Sequence, residues 1–428
     1  MLKVVTNNRL LFIGIHVVIG FLAASSTFSK LFGAFIITVG LVIVVLSSNK
    51  KEEALLISSY IVGLEVFLRM TKGTISYEMG KYGVALFLIV GMLVGETKQK
   101  LSVAYFLYIL LLLLGIVFTQ VPEGESIRKA ITFNLSGPIV LGICALYLYK
   151  RPIEFSELKQ ILFFLLLPIF SMVSYMYFRT PNLREMVFGT GSNFDTSGGF
   201  GPNQVSTILG LGMFVLAVFL YMKIKVTGFI ILDALFLAYF TYRGLLTFSR
   251  GGVLTAGVGS IKLIIKYLFI SSFFIFGIWL YTSNITGGMI DNRYAGKDRT
   301  GKKKDVSSGR LGVFTSQLES FKEAPLFGIG VGNGKYKREK KGELITTSHN
   351  EVSRIIEEHG LIGVILLIIL IYIPMVHFKN ANNFQRGFIL SFFVFWFLTV
   401  NHSAMRIGFP GFIYALSLIH IRDTEIKE

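Results

Sequence analysis

The sequence predicts an all-α fold: a polytopic bundle of about 12 to 14 transmembrane helices with one large extracytoplasmic loop that contains amphipathic helices. Three observations predict this architecture. Of the 428 residues, 53% are hydrophobic and only 16% are charged, so most apolar side chains must face lipid. Fourteen apolar stretches follow one another along the chain, and most could cross about 30 Å of hydrocarbon. Pairs of basic residues lie in every second connection between these stretches.

The apolar stretches predict where the membrane helices lie. They cover residues 10–24, 31–47, 54–70, 82–95, 101–119, 130–149, 158–178, 204–222, 227–242, 251–266, 268–282, 359–377, 386–400 and 408–421. Several are short, notably 251–266, which leaves twelve or thirteen spans as alternatives to fourteen. No small-residue cleavage site follows the first stretch before the second begins, so we interpret 10–24 as a transmembrane helix and not as a signal peptide.

The basic pairs predict the orientation of the bundle. If the N-terminus is cytoplasmic, every second connection is cytoplasmic too, and each of these holds a basic pair, as the positive-inside rule requires. The pairs are Lys3/Arg9, Lys50/Lys51, Lys98/Lys100, Lys150/Arg151, Lys223/Lys225, Lys262/Lys266, Lys379/Arg386 and Arg422/Lys427. Connections on the opposite side also hold basic residues, such as Arg128 and Lys129. The expected topology has both termini in the cytoplasm and the segments 179–203 and 283–358 outside.

This topology divides the chain into four regions. They are N-terminal transmembrane helices (1–178), central helices with the external loop 179–203 (179–282), the large external loop (283–358) and C-terminal helices (359–428). The formal net charge of +17 does not indicate nucleic acid binding, because the basic residues are scattered as short pairs between apolar runs. The single cysteine, Cys144, excludes a disulfide framework within the chain.

The loop 283–358 is the only soluble-looking stretch, so we expect function there. It contains fourteen Lys and Arg residues against ten acidic ones. The segment Ser307–Glu323 places apolar residues at three- and four-residue steps, which predicts an amphipathic helix outside the bilayer. The run Gly328–Gly334 does not fit a dinucleotide-binding pattern, and it predicts either a tight turn or a backbone N–H nest for an anion.

Three arginines and one histidine are candidate functional residues. Arg243 and Arg250 flank the outer end of the stretch 227–242, and Arg310 lies at the start of the amphipathic helix. Each could snorkel or stay a solvated surface charge, or it could hold a phosphate with its planar fork. His349 precedes the stretch 359–377 and is either structural or a general base. No metal-ligand spacing surrounds it, so we expect no metal site.

Two short motifs resemble those of the O-antigen ligases. The segment Arg250–Leu254 fits the R-x3-L motif of that family, at the outer end of a helix ahead of the large loop. His349-Asn350, nine further residues and then Gly360-Leu361-Ile362-Gly363 fit the second motif, H-[NSQ]-x9-G-x2-[GTY]. Residues 309–333 and Gly201–Asn203 are also similar to segments of this O-antigen ligase and polymerase superfamily. The resemblance covers about residues 180–400, and the usual twelve spans of the ligases differ from the fourteen stretches here.

The resemblance implies an all-helical membrane glycosyltransferase of the GT-C type in the bacterial inner (cytoplasmic) membrane. It implies an inverting, metal-independent transfer from an undecaprenyl-diphosphate-linked oligosaccharide donor to a glycan or lipid acceptor, without a cofactor. Arginines would stabilise the departing diphosphate, and a histidine would deprotonate the acceptor hydroxyl. The expected catalytic residues are His349, Arg250 and Arg310, and the expected substrate-binding residues are Arg243, Asn350, Asn203 and Arg406.

We expect a polymerase that joins glycan repeat units on the outer face of the membrane. The alternative is a ligase that moves the glycan onto lipid A–core, because both enzymes share donor, mechanism and motifs. A transporter of the same lipid-linked glycan is the alternative of another class, with Glu65, Arg69 and Asp233 among its few candidate intramembrane polar groups. A sensor with an external binding loop is a third alternative. The expected partners are the lipid-linked donor, the acceptor, membrane lipid and either a chain-length regulator or a flippase, with no nucleic acid.

Overall fold

The protein is mostly helical. The computed structural model describes residues 8–95, 101–264, 268–305, 307, 309–342 and 347–422, without the side chains of 261–264 and 268–273. Within these ranges the chain forms seventeen α-helices, one 3-10 helix (Asp195–Ser197) and two three-residue strands. Five residues of the basic pairs fall outside the ranges: Lys3, Lys98, Lys100, Lys266 and Lys427.

The helices follow the apolar stretches in order. They are α1 (Arg9–Leu22), α2 (Ser26–Ser47), α3 (Glu53–Met70), α4 (Met79–Val94), α5 (Val103–Leu114), α6 (Ile127–Leu148), α7 (Phe155–Arg179), α8 (Pro202–Tyr221), α9 (Ile230–Leu246), α10 (Arg250–Ile264), α11 (Leu268–Ile285), α12 (Met289–Tyr294), α13 (Arg310–Glu323), α14 (Gly334–Lys340), α15 (Glu351–Lys379), α16 (Asn383–His402) and α17 (Phe409–Leu416). The strands β1 (Pro152–Glu154) and β2 (His420–Arg422) pair in parallel.

Among the described residues, six helices are long and apolar enough to cross a membrane: α2, α6, α7, α8, α15 and α16. Shorter apolar helices include α1, α4 and α5. These findings confirm a mostly helical fold, and the length and composition of these helices support the membrane assignment. The count of 12 to 14 spans, the orientation and the four-region division stay predictions.

The core of the bundle lies around α7 and α8. Their most apolar windows are 78% and 83% buried, against 22% for α2 and 28% for α15, so α2 and α15 present most of their surface outward. Helix α3 packs closely on α7, because a Cβ at Gly63 would overlap the carbonyl oxygen of Leu165. Small residues allow such close helix packing in membrane proteins.

Contacts between helix ends define two ends of the bundle. At the terminal end, Arg9 donates to the carbonyl of Lys225 (3.4 Å), and Arg151 forms an ion pair with Glu52 (2.8 Å). The paired strands β1 and β2 lie there too, so the described chain starts and finishes at this end. At the opposite end, the loop end, Arg243 donates to the carbonyl of Thr196, Arg293 to that of Phe248 and Arg406 to that of Ser348.

The predicted final span, 408–421, is wrong as a single membrane-crossing helix. Helix α17 has eight residues, about 12 Å at 1.5 Å per residue, and all eight are buried inside the protein. The chain then leaves the helix to pair β2 with β1. Hydropathy alone does not distinguish a segment buried in protein from one that faces lipid.

The segment predicted to form an amphipathic helix, 307–323, is helical from a later start, and its place outside the bilayer stays a prediction. Helix α13 begins at Arg310 instead of Ser307, after Gly309 with a φ of 80°. The predicted span 359–377 is part of a longer helix, α15, which is broken at Gly360 (φ 61°, ψ −136°). The part of α15 before the break packs against α13 and so belongs to the loop end.

Candidate functional site

A cavity of about 700 Å³ opens at the loop end, a volume typical of ligand sites. Four of the seven predicted site residues line it: Asn203, Arg310, His349 and Asn350. Arg293 and Lys304 also line it, and none of its described lining residues is Asp or Glu. Neighbouring positions 306, 308 and 343–346 lie outside the described residues.

A smaller space of about 170 Å³ adjoins this cavity and holds a fifth predicted residue, Arg250. Arg293 and Arg310 line both spaces, and we call the two together the arginine cavity. Partial burial and then the charges of Arg250 and Arg310 lower the pKa of Arg293. Burial and then the charge of Arg250 also lower the pKa of Arg310. The three guanidinium groups are thus close enough to repel one another, and an anion between them would relieve this repulsion.

A sharp turn places Arg250 at the cavity. Phe248 has a φ of 55°, a left-handed conformation that is unfavourable for a bulky residue and costs roughly 1–2 kcal/mol. Its ring stacks on Phe188, with centroids 5.8 Å apart, and its carbonyl accepts a hydrogen bond from Nε of Arg293 at 3.1 Å. These contacts hold the turn between α9 and α10, so that α10 begins at Arg250 beside Arg293.

Two glycines after Arg250 bring the start of α10 against its neighbours. A Cβ at Gly251 would overlap the ring of His402, and a Cβ at Gly252 would overlap the carbonyl oxygen of Ser206 on α8. The hydroxyl of Ser206 donates to the carbonyl of Ser249 at 2.9 Å, which fixes the same contact. The glycines of the RGG segment therefore position Arg250 by close helix packing.

Alanine at Gly252 is expected to destabilise the protein. The added methyl group forces α10 away from α8, and we expect a loss of about 2 kcal/mol in the free energy of unfolding. Gly257→Ala on the same helix is the matched control, because a Cβ there meets nothing within 4 Å and should be neutral or slightly stabilising. Thermal unfolding of both purified variants checks this, and equal melting temperatures would contradict the packing argument.

His349 is half-buried at the wall of the arginine cavity. Burial, and then the positive charges of Arg310, Arg406 and His402, lower its pKa to about 4. The imidazole is therefore neutral near pH 7 and available to accept a proton. It lies immediately before Asn350, which caps α15.

Asn350 holds this segment in place. Its Oδ1 accepts from the backbone N–H of Ser353 (3.1 Å), and its Nδ2 donates to Oδ1 of Asn401 (3.0 Å). Asn203 is held similarly, since its Oδ1 accepts from the hydroxyl of Ser249 at 2.8 Å. The geometry thus gives both asparagines structural contacts in addition to their places in the cavity wall.

The glycine run 328–334 docks on α15. The backbone N–H groups of Ile329 and Gly330 donate to the carbonyls of Glu357 and Glu358, and that of Gly332 donates to the Glu358 carboxylate (3.0 Å). A Cβ at Gly360 would crowd the 325–328 backbone. These contacts use N–H groups that an anion nest would need, so they favour the tight-turn alternative. The motif glycines of α15 accordingly have a packing role.

Arg406 lines a second cavity, of about 230 Å³, on the other side of Thr347 and Ser348. It donates to the carbonyl of Ser348 (2.9 Å), and its guanidinium lies 4.1 Å from the ring centroid of Phe133. Burial and the charge of Arg354 lower its pKa to about 10. Carboxylates and cations line this space together, so we call it the mixed-charge cavity. Its charged lining residues are Glu125, Lys129, Lys335, Arg338, Arg354, Glu357, Glu358 and Arg406.

Arg243 is the predicted residue that lines neither the arginine cavity nor the mixed-charge cavity. It is 3% exposed, and its Nη2 donates to Oγ1 of Thr180 (2.6 Å) and to the carbonyl of Thr196 (3.0 Å). It therefore ties α9 to the loop 179–203. The prediction that it supports a bound diphosphate finds no geometric support, because a side chain so placed has no access to the cavity.

Several residues of the site were not among the sequence-based candidates. The sequence predicted Arg293 and Lys304 only as part of the basic loop, and it did not single out Asn401, which lies five residues before Arg406. No sequence motif distinguishes these residues. Arg293 reaches the cavity from α12, Lys304 from the segment that follows α12, and Asn401 from the end of α16. Within the described ranges, no three His, Cys, Asp or Glu side chains gather as a metal site would require, and the absence of a metal stays a prediction.

Comparison with known proteins does not assign the chain to a family. No family model matches the chain, and no curated protein matches it either. The two motifs and the arrangement of the cavity are therefore the whole basis for a functional conclusion.

Proposed function

We propose that the protein is a membrane glycosyltransferase that joins undecaprenyl-diphosphate-linked glycan repeat units. The observation that carries the proposal is the arginine cavity, in which Arg250, Arg293 and Arg310 converge beside a neutral histidine. The enzyme would be a polymerase of the GT-C type in the bacterial inner membrane, with the loop end on the outer face.

The lining of the arginine cavity supports a diphosphate as the bound group. Mutual repulsion of the guanidinium groups is relieved when a multiply charged anion lies between them. Arginine offers a planar fork that matches phosphate oxygens and keeps its charge at any relevant pH. No described lining residue is acidic, so nothing described in the wall would repel the phosphates.

The apolar rim of the cavity supports a lipid carrier on that diphosphate. Leu311 and Phe314 of α13 line the cavity and are 67% and 39% exposed. Exposed apolar side chains beside an anion site suit a ligand that has a hydrocarbon tail and a charged head. A polyprenyl chain could leave the cavity across this face of α13.

The mixed-charge cavity is where we place the acceptor sugar. It contains carboxylates, cations and the aromatic side chains of Phe133 and Tyr336, and sugar hydroxyls both donate and accept hydrogen bonds. The two cavities share Thr347 and Ser348. An acceptor there would contact Thr347 and Ser348, the two residues that precede His349, the proposed base.

The proposed reaction is a single displacement. The acceptor oxygen forms a bond to the anomeric carbon of the donor while the bond from that carbon to the diphosphate oxygen breaks. The hydroxyl proton passes to His349, and the electron pair of the broken bond leaves on undecaprenyl diphosphate. Arg250, Arg293 and Arg310 would stabilise the negative charge that grows on the leaving group.

The polymerase and the alternative enzyme, a ligase, differ in the acceptor that they use. A ligase would use lipid A–core as acceptor with the same donor and site. A chain-length regulator or a flippase for the donor would be a natural partner of either enzyme.

The polar groups that a transporter would need are engaged in local contacts. Glu65 forms an ion pair with Arg69 (2.5 Å) and accepts from the backbone N–H of Gly408 (2.7 Å). Asp233 accepts from the backbone N–H groups of Val226 (2.8 Å) and Thr227 (2.9 Å). These contacts anchor loops to helices, which favours the transferase over the transporter.

Binding of undecaprenyl diphosphate to the purified protein in nanodiscs tests the donor assignment. We expect saturable binding that weakens as salt screens the arginines, and much weaker binding of undecaprenol, which lacks the diphosphate. Equal affinity for the two lipids would contradict the proposed function, because binding would then depend on the hydrocarbon chain alone.

A further inference from the structure

A second large cavity lies far from the arginine cavity, in the apolar part of the bundle. It has a volume of about 750 Å³ and is bounded by α1, α2, α3 and α7. Phe35 of α2 and Ile15 of α1 line it and are 58% and 41% exposed, so it opens sideways towards lipid. We call it the α1–α2 groove.

The walls of the groove suit a hydrocarbon chain. The polar atoms of His16 and Tyr60 face each other, with Nε2 of the histidine 3.0 Å from the tyrosine hydroxyl. Nδ1 of the same histidine lies 2.6 Å from the carbonyl of Phe12. Because these polar groups are paired with one another, the middle of the groove presents mainly apolar surface.

The charged mouth of the groove lies at the terminal end of the bundle. Lys50, Lys51 and Glu53 line it there, next to Ser47. The two lysines give this mouth a net positive charge. A lysine at a membrane surface attracts the anionic headgroups of lipids.

The length of the groove matches one leaflet of a bilayer. Along α2 it extends from Phe35 to Ser47, about 18 Å at 1.5 Å per residue. Half of the hydrocarbon core of a bilayer is about 15 Å. An acyl chain that fills the groove therefore brings its own headgroup to the level of Lys50 and Lys51.

We propose that the α1–α2 groove is a binding site for an anionic phospholipid of the leaflet at the terminal end. One acyl chain lies between α1 and α2, and the headgroup phosphate contacts Lys50 and Lys51. The inference is independent of the proposed transferase activity, since it concerns other helices and the opposite end of the bundle.

Native mass spectrometry of the purified full-length protein tests this site. The protein is titrated in detergent with phosphatidylglycerol or phosphatidylcholine, and apparent Kd values are taken from the lipid-bound masses. We expect tighter binding of phosphatidylglycerol, and a loss of about 30-fold in its affinity for the double variant Lys50→Gln/Lys51→Gln. Lys223→Gln/Lys225→Gln removes a basic pair at the same end, outside the groove, and should leave the affinity unchanged.

A variant that fills the groove distinguishes lipid binding in the groove from lipid binding elsewhere on the protein surface. Val39→Trp places a large side chain within the groove and should remove the bound lipid without unfolding the protein, which the melting temperature monitors. Three lipid-binding results would overturn the proposal: equal affinity for both lipids, equal losses in the two lysine double variants, or phosphatidylglycerol binding that survives Val39→Trp. A dimer that this variant converts to monomer, with no lipid bound beforehand, would identify a second copy of the chain as the occupant and would overturn it as well.

Discussion

His349→Ala is expected to lower the rate of glycan transfer per folded molecule by about 10²–10⁴-fold. The neutral imidazole lies at the wall of the arginine cavity, where it would take the proton of the acceptor hydroxyl. The arginines are unchanged in this variant, so donor binding should persist. Transfer rate and donor affinity are measured separately on protein whose folded fraction is known.

The pH dependence of the wild type tests the proposed base. In the free protein the pKa of His349 lies at about 4. The neutral ring is the active form, so kcat/KM should be high above this pKa and should fall as the pH drops through about 4. Bound diphosphate adds negative charge beside Arg310 and raises the pKa, so kcat should begin to fall at a higher pH than kcat/KM.

A structural role for His349 would give a different pattern. The variant would then lose melting temperature or yield, and the remaining activity would follow the amount of folded protein. Added imidazole should restore part of the rate to His349→Ala if the residue is a base, because a small base can enter the space that the side chain leaves. Wild-type specific activity in this variant would exclude His349 from catalysis.

Arg310→Ala is expected to lower the transfer rate by about 10²–10³-fold, the effect of removing one preorganised group from a developing negative charge. Arg310→Lys keeps the charge but loses the bidentate fork, so its rate should lie between those of the wild type and Arg310→Ala. Lys322→Ala on the same helix removes an equal charge from an exposed position outside the cavity. This control should transfer at the wild-type rate.

Two results would show that Arg310 does not stabilise the diphosphate. One is a near-normal rate for Arg310→Ala at normal expression. The other is an equal loss in Arg310→Ala and Lys322→Ala, which would show that only the overall charge of the loop matters. Arg250→Ala should match Arg310→Ala, because both guanidinium groups line the same small space.

The sequence predicted helix positions well where apolar stretches were long and flanked by polar residues. Stretch 158–178 corresponds to α7 (Phe155–Arg179), and stretch 204–222 corresponds to α8 (Pro202–Tyr221). The sequence-based prediction failed at 408–421, because the apolar side chains of α17 are buried within the protein and do not face lipid. Window averages of hydropathy carry no information about which of these environments surrounds a segment.

The sequence could not separate the roles of Arg243 and Arg250. Both flank the same predicted helix end, seven residues apart, and both carry a guanidinium that suits phosphate. They lie on opposite sides of the left-handed turn at Phe248: Arg243, on α9, points into the protein against Thr180, and Arg250, at the start of α10, reaches the cavity beside Arg293. No spacing rule in the sequence encodes this difference.

The sequence alone showed the second motif, which runs from His349 to Gly363, but most of its residues contribute to packing. Asn350 caps α15, and Gly360 breaks that helix where the 325–328 segment crosses it. His349 is the member of the motif that lines the arginine cavity without a described hydrogen-bonding role in the fold. The site as a whole needed Arg293 and Lys304 from the loop, which only the three-dimensional structure brings to Arg310.

Transfer by the purified wild-type protein tests the central claim most directly. The protein is reconstituted in liposomes with an undecaprenyl-diphosphate-linked repeat unit isolated from the producing cells, in the presence of a chelator and without other proteins. We predict a ladder of glycan products on a gel and release of undecaprenyl diphosphate in step with each bond formed. If the protein binds the repeat unit but leaves it unextended, both alone and with lipid A–core as acceptor, the transferase account is contradicted.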